Sequence, residues 1–205
     1  MLADLPADFD QIKGFLAHDE AEALYAQAEQ ACLLGPVLEI GSYCGKSTIY
    51  LGLACRAASA TVFALDHHRG SEEHQPGEFF HDPDLFDSAL GEVDTFREFR
   101  RNISSAGLDD IVVPIVASSA NASRHWRTPL GMLFIDGGHS LDAALTDYRC
   151  WEPHLLRGGI LAIHDVFDDA HAGGQAPYAI YRMARASGLF EEIGRVNSLA
   201  LLRRL

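Results

Sequence analysis

Acids, hydroxyls and histidines recur along this chain where apolar runs stop. The densest case is Val37-Leu38-Glu39-Ile40-Gly41-Ser42-Tyr43-Cys44-Gly45-Lys46-Ser47-Thr48. An apolar run carries an acid, a glycine turn follows, and then comes a segment that reads as helix. Such a turn presents backbone amides and one carboxylate to a nucleotide-like ligand. The other stops are Asp66 after Thr61–Leu65, Ala117-Ser118-Ser119 after Ile111–Val116, Asp136 after Met132–Ile135, and His164-Asp165 at the end of Ile160–His164.

The turn can be read in two ways. Gly41–Ser47 spells G-x-x-x-G-K-S, close to a phosphate-binding Walker A loop, and Met132–Asp136 passes for a Walker B strand. A Walker A loop has four residues between its glycines, and this one lacks one of the amides that would wrap a phosphate. Glu39 is an odd neighbour for a polyphosphate. Asp66 ends the next strand about 20 residues on, where an acid binds ribose hydroxyls. A dinucleotide fold uses that acid too, but its G-x-G-x-x-G is absent. S-adenosylmethionine (SAM) suits the residues better, having an ammonium, a carboxylate, a ribose diol and a sulfonium but no phosphate. Glu39 can lie near the cationic end, and amides of the turn with the helix N-terminus can meet the carboxylate. Asp66 can take the ribose, and Ser118 or Ser119 the adenine edge. The candidate cofactor contacts are Glu39, Gly41, Ser42, Tyr43, Gly45, Ser47, Asp66, His67, Ser118, Ser119 and Asp136. A P-loop NTPase and an NAD enzyme stay as lesser alternatives, and Glu39 alone could be a surface acid at a strand end.

The periodicity supplies the elements that must position these residues. A helical stripe (Ala21, Leu24, Tyr25, Ala28, Cys32) predicts a helix over His18–Cys32, with Asp19 and Glu22 marking its start. Strands are expected at Val37–Ile40, Thr61–Leu65, Ile111–Val116, Met132–Ile135 and Ile160–His164, the last opened by Gly158-Gly159. Helices are expected over Lys46–Ala58, Val93–Ala106, Ala120–Trp126, Ser140–Trp151 and Pro177–Ala186, and β-like runs at Phe190–Arg195 and Leu199–Leu202. Between His67 and Gly91 the chain is polar, acidic and irregular, which in a compact domain marks a functional lid or a disordered loop. This alternation predicts an α/β fold, a Rossmann-like doubly wound and mostly parallel sheet with ligands beyond the carboxyl ends of its strands. One domain is expected over 1–205, with an N-terminal helical segment at 1–34 and a lid insertion at 66–94.

Composition narrows the partners. The net charge is −13 and there are only two lysines, Lys13 and Lys46, which argues against a broad nucleic-acid footprint and disfavours anionic membrane surfaces. No apolar run approaches the roughly 18 residues of a membrane span. The N-terminal residues lack the basic region and apolar stretch of a secretory signal. Cys32, Cys44, Cys55 and Cys150 have no C-x-x-C spacing, which argues against a disulfide framework or structural zinc and for a reducing, cytoplasmic setting. The apolar face of the N-terminal helix could pair two copies into a homo-oligomer.

Three motifs in order carry a family likeness: Val37–Thr48, then Phe134-Ile135-Asp136-Gly137-Gly138-His139-Ser140, then Leu156-Arg157-Gly158-Gly159-Ile160-Leu161-Ala162-Ile163-His164-Asp165. With Ile12-Lys13-Gly14-Phe15-Leu16 before them, the chain resembles the class I SAM-dependent methyltransferases. Within them it looks like the small-molecule O-methyltransferase group that includes macrolide-sugar and cephamycin-pathway enzymes. The resemblance implies about seven strands with the last antiparallel, and methyl transfer to an oxygen of a small polar molecule. It also implies a divalent metal on Asp136 and Asp165, with Asp136 and His139 catalytic and His139 the base. His164 departs from the pattern, since relatives often carry an acid there. Magnesium prefers oxygen ligands, and an imidazole ligand beside two carboxylates suits Mn, Fe, Zn or Ni better. His164 could instead support the site without touching a metal. A non-catalytic SAM-binding or partner-binding subunit of the same fold is the alternative from another class.

Overall fold

A computed structural model describes residues 5–6 and 8–205. The first part of the expected 1–34 segment, at 1–4 and 7, lies outside the described residues. The described residues form nine strands and six α-helices, beginning with α1 (His18–Ala31), β1 (Val37–Ile40), α2 (Lys46–Ala57), β2 (Val62–Asp66), β3 (Phe86–Asp87), β4 (Glu92–Val93) and α3 (Phe96–Ser105). There follow β5 (Val112–Val116), α4 (Ser119–Ser123), β6 (Leu130–Ile135), α5 (Leu141–Trp151), β7 (Leu155–Ile163), α6 (Ala176–Ala186), β8 (Phe190–Val196) and β9 (Leu199–Arg204). Seven strands form one sheet in the order β5-β2-β1-β6-β7-β9-β8. The first five are parallel, and β9 runs antiparallel between β7 and β8.

The period-2 alternation of each strand splits the core in two. Val37, Val62, Ala64, Met132, Phe134 and Ala162 face α1, α2 and α3. Leu38, Ile40, Leu65, Leu133, Ile135 and Ile163 face α5 and α6. Both faces are covered, which is why β6 reads as an unbroken apolar run and β1 is apolar but for the buried Glu39. Local signals agree with the helices. Gly45 stands at the start of α2, the Ser140 hydroxyl caps α5, and Pro177 lies in the first turn of α6.

Four expectations need correction. Gly158-Gly159 lie inside β7 rather than opening it. The β6–β7 register shifts between Leu130 and Met132, and a Cβ on Gly159 would stand 2.8 Å from the Gly131 carbonyl oxygen, so the glycine permits close approach at an irregularity. α3 starts at Phe96 because Val93 pairs with Phe86 in the β3–β4 hairpin. Here the Asp94 carboxylate accepts the Phe96 N–H at 2.9 Å. α4 is the short Ser119–Ser123, and Trp126 packs edge-on against Phe63 and Trp151. Finally, the apolar face of α1 is occupied within the chain. Ala21, Leu24 and Ala28 are buried with Ile49, Leu53 and Cys55, and Cys32 Sγ lies 3.0 Å from Cys55 Sγ of α2. That face is not free for a second copy.

The stretch expected to be irregular is pinned at several points. Lys13 Nζ meets Asp82 at 2.6 Å, the Tyr43 and His74 rings stack at 5.1 Å, and Leu85 and Val93 bury against Cys44. No helix among the described residues is long and apolar enough to cross a membrane.

Candidate functional site

Register places the site. Ile40 pairs with Leu65 and with Ile135, and Ile135 pairs with Ile163, so these residues form one row across the sheet. The next residues, Gly41, Asp66, Asp136 and His164, therefore emerge side by side. They open onto a cavity of about 1030 Å³. From the glycine turn the wall takes Gly41, Ser42, Tyr43 and Ser47. From the next strand ends it takes Asp66, His67, Ser118 and Ser119. Asp136, His139, His164 and Asp165 close the far end. The sequence-predicted set converges, with two exceptions.

Gly45 and Glu39 lie behind the wall rather than in it. Gly45, at φ +91°, starts α2. Glu39 alternates onto the α2 face of β1, fully buried, where its carboxylate accepts the Ser47 hydroxyl at 2.6 Å and the Thr48 hydroxyl. Burial pushes its carboxyl up to about 8, although those two hydroxyls favour ionisation. Glu39 thus anchors the first turn of α2. Gly41 is required by close approach: its φ is +88° and a Cβ would meet the Asp136 carbonyl oxygen at 2.0 Å.

The turn and β2 are tied together by Asp66. Its two carboxylate oxygens accept the Tyr43 N–H at 2.8 Å and the His68 N–H at 2.7 Å. Each oxygen keeps a lone pair for a ligand hydroxyl. Ser42 is 1% exposed, and its hydroxyl has no partner. An orphaned hydroxyl in a cavity wall, a glycine that admits no side chain and an oriented strand-end acid fit the amino acid and ribose parts of SAM. His67 is exposed at the rim and accepts the Arg69 N–H at 3.1 Å.

The far end is a network of charge. His139 Nδ1 lies 3.0 Å from a Glu73 oxygen and its Nε2 3.1 Å from Asp165 Oδ2. Asp165 and Glu73 together push His139 up to about 10, against the opposing effect of burial. His164 Nδ1 lies 3.0 Å from Asp136 Oδ1 and 3.6 Å from Asp165 Oδ2, while its Nε2 lies 3.0 Å from Glu20 Oε2. Burial disfavours charge on His164, but the flanking acids, Asp136 foremost, outweigh it and raise the imidazole to about 12. Asp165 adopts a φ of +56°, a strained backbone that aims its carboxylate at both histidines.

Asp136, His139 and Asp165 offer atoms within 4.8 Å of one another, the spacing of a metal site. Their hydrogen bonds do not suit one. Both nitrogens of each histidine face carboxylates, and Asp136 and Asp165 accept from those rings. No all-oxygen set of the kind magnesium selects is present among them. His164 presents no free lone pair as a ligand.

Three residues of the site escaped the sequence. Glu20 is an acid at i, i+4 and i+8 register with Leu24 and Ala28, a charge at the head of an apolar stripe. It is 3% exposed, accepts the Ser198 N–H and hydroxyl at 2.9 and 2.8 Å, and its carboxyl is held down at about 2 as these donors and His164 overcome burial. Asp147 sits likewise on the buried face of α5 beside Ala144 and Tyr148. It accepts the Ser119 hydroxyl at 2.5 Å, and burial raises it to about 6. Glu73, in an irregular segment, carried no signal.

A family profile described as "Methyltransferase domain" matches residues 38–166. Among solved structures, the O-methyltransferase NovP superposes with a TM-score of 0.67 at 18% identity, over 90% of this chain and 78% of its own. A methyltransferase of Podospora anserina, PaMTH1, bound to S-adenosylhomocysteine (SAH), gives 0.65 at 15% identity over 97% and 82%. An O-methyltransferase of Bacillus cereus in complex with SAH gives 0.60 at 17% over 98% and 83%. At these identities the likeness is one of fold.

Proposed function

The chain belongs to the methyltransferase-domain family, and on that premise we propose that it transfers the methyl group of SAM to an oxygen of a small polar molecule. The observation that carries this reading is Asp66. Its carboxylate, held by Tyr43 and His68 amides, faces the same cavity as Gly41, Ser42 and Tyr43 on one side and His139 on the other. SAM, when bound, supplies a methyl carbon made electrophilic by the sulfonium.

The residues divide the work along the cavity. Asp66 orients the ribose diol. The unpartnered Ser42 hydroxyl donates to the carboxylate of the amino acid end, beside the positive end of α2. Ser118, Ser119 and Asp147 line the adenine end. At the other end His139 takes the proton that the acceptor hydroxyl gives up, with Asp165 fixing the ring and stabilising the imidazolium. Alignment of the acceptor and exclusion of water supply much of the rate. The segment 66–94 acts as the lid, contributing Glu73 to the ring of groups around His139. One domain holds the whole site, and the net charge of −13 favours a small molecule over a nucleic acid as acceptor.

Isothermal calorimetry with SAM, SAH and ATP tests the proposal. Binding of SAM and SAH with no ATP binding is the expected result. ATP binding without SAM would overturn it.

A further inference from the structure

The chain puts His164 where the family resemblance calls for a second acid, and it supplies an acid from elsewhere to hold that histidine. Glu20 of α1 and Asp136 after β6 face opposite nitrogens of the ring, each at 3.0 Å. Each ring nitrogen thus has a carboxylate as its partner, and neither faces an open position for an ion. Glu20 is anchored in turn by the Ser198 N–H and hydroxyl, so the bridge is tied at α1, β7 and the β8–β9 turn. Glu20 and His164 are 3% and 4% exposed. A buried ring fixed by this many partners does not swing aside to admit a ligand.

We infer that the Glu20–His164–Asp136 bridge stands in for a divalent ion, so that this chain holds its acceptor end together with a fixed imidazole and transfers the methyl group without binding metal. The inference rests on the methyltransferase reading above. A cation at the Asp136–His139–Asp165 triangle would compete with donor N–H groups already aimed at the same oxygens: Asp136 Oδ1 takes His164 Nδ1, and Asp165 Oδ2 takes His139 Nε2. The imidazole stands beside both carboxylates and leaves no open coordination position there. One consequence concerns the acceptor. A metal site selects molecules with two adjacent oxygens to chelate, whereas a site run by His139 needs only one hydroxyl in reach.

Mn2+ alone is the probe, read by the electron paramagnetic resonance signal of the free ion. Six proteins are compared: the wild type, His164→Asp and the double variant Glu20→Gln/His164→Asp, each with and without Asp165→Asn. SAH calorimetry on every protein reports an intact cavity. The wild type is expected to leave the Mn2+ signal unchanged. The His164→Asp proteins should take up one Mn2+ at least about tenfold more tightly, the scale on which ligand-shell changes move metal affinity, and Asp165→Asn should abolish the gain. Stoichiometric Mn2+ uptake by the wild type that Asp165→Asn removes would overturn the inference. Variants that bind SAH but take up no more Mn2+ than the wild type would overturn it equally, because His164 would then not be what keeps the ion out. Failure of the wild type to bind SAH is a separate result, against the methyltransferase reading itself.

Discussion

Replacing Glu39 by Gln should make the protein more stable at alkaline pH and change the shape of its pH–stability curve. Glu39 is fully buried, and its carboxyl is pushed from 4.5 to about 8 by burial. At 1.36 kcal/mol per pKa unit, that rise corresponds to about 5 kcal/mol of differential stability. The sign follows from where the proton resides. Above pH 4.5 the unfolded chain has lost it, while the fold keeps it. The stability contributed by the raised carboxyl is therefore complete below pH 4.5, falls as pH rises, and is lost on passing about 8. Gln has nearly the same shape and still offers an oxygen to the Ser47 or Thr48 hydroxyl, but it does not ionise. Urea unfolding at about pH 5, 7 and 8.5 measures the difference. The two proteins should lie close together at the acid end, and Glu39→Gln should gain several kcal/mol by the alkaline end, with about 5 as the ceiling. Parallel curves would refute the reasoning. They would mean that Glu39 is ionised in the fold and paired with a cation, the role the sequence first suggested for it beside the ammonium of SAM.

Asp66→Ala should weaken SAH binding by roughly 10- to 100-fold in calorimetry, the cost of losing hydrogen bonds to a charged acceptor, and an unchanged affinity would remove Asp66 from the site. Gly41→Ala should lower stability by more than about 3 kcal/mol in thermal melts, because the new Cβ meets a backbone oxygen at a φ of +88°. The His139 ring should keep its proton to about pH 10 in an NMR titration. Glu73→Gln removes one of the anions that hold that proton, so the midpoint should move toward acid by about one unit; a midpoint that stays in place would show that Glu73 does not face the ring in solution. The rate of methyl transfer should rise toward alkaline pH through the same midpoint, since only the unprotonated ring accepts the acceptor's proton.

The parts of this molecule that could be read in advance are those where one physical cause dominates. β1 and β6 are covered on both faces, so their residues are apolar apart from Glu39, and their ends could be located to within two residues. Asp66, Asp136 and Asp165 could be placed together because each lies at or just past the end of a parallel strand, and register brings those strand ends side by side onto one cavity. Gly41 was visible because only glycine fits. The residues that stayed hidden act through partners distant in sequence. Glu20 looks like a helix-start acid until Ser198 and His164 are placed around it. Asp147 looks like one more charge on an amphipathic helix until its face turns out to be the buried one. Glu39 was recognised as important, but which way it points depends on the alternation of β1 beneath α2. The β3–β4 hairpin rests on two residue pairs, too few for periodicity to register.

The contact between Glu20 and Ser198 also sets an order of events. The two residues are separated by 178 positions. During synthesis at about 5–20 residues per second, α1 emerges many seconds before the β8–β9 turn exists. Until then Glu20 lacks the Ser198 N–H and hydroxyl that hold its carboxylate. The β8–β9 turn supplies both donors. The His164 end of the cavity thus depends on the last strands to be made, while the glycine turn and Asp66 are joined by a contact only 23 residues apart. A nascent chain would acquire the means to hold its methyl donor well before it could use it.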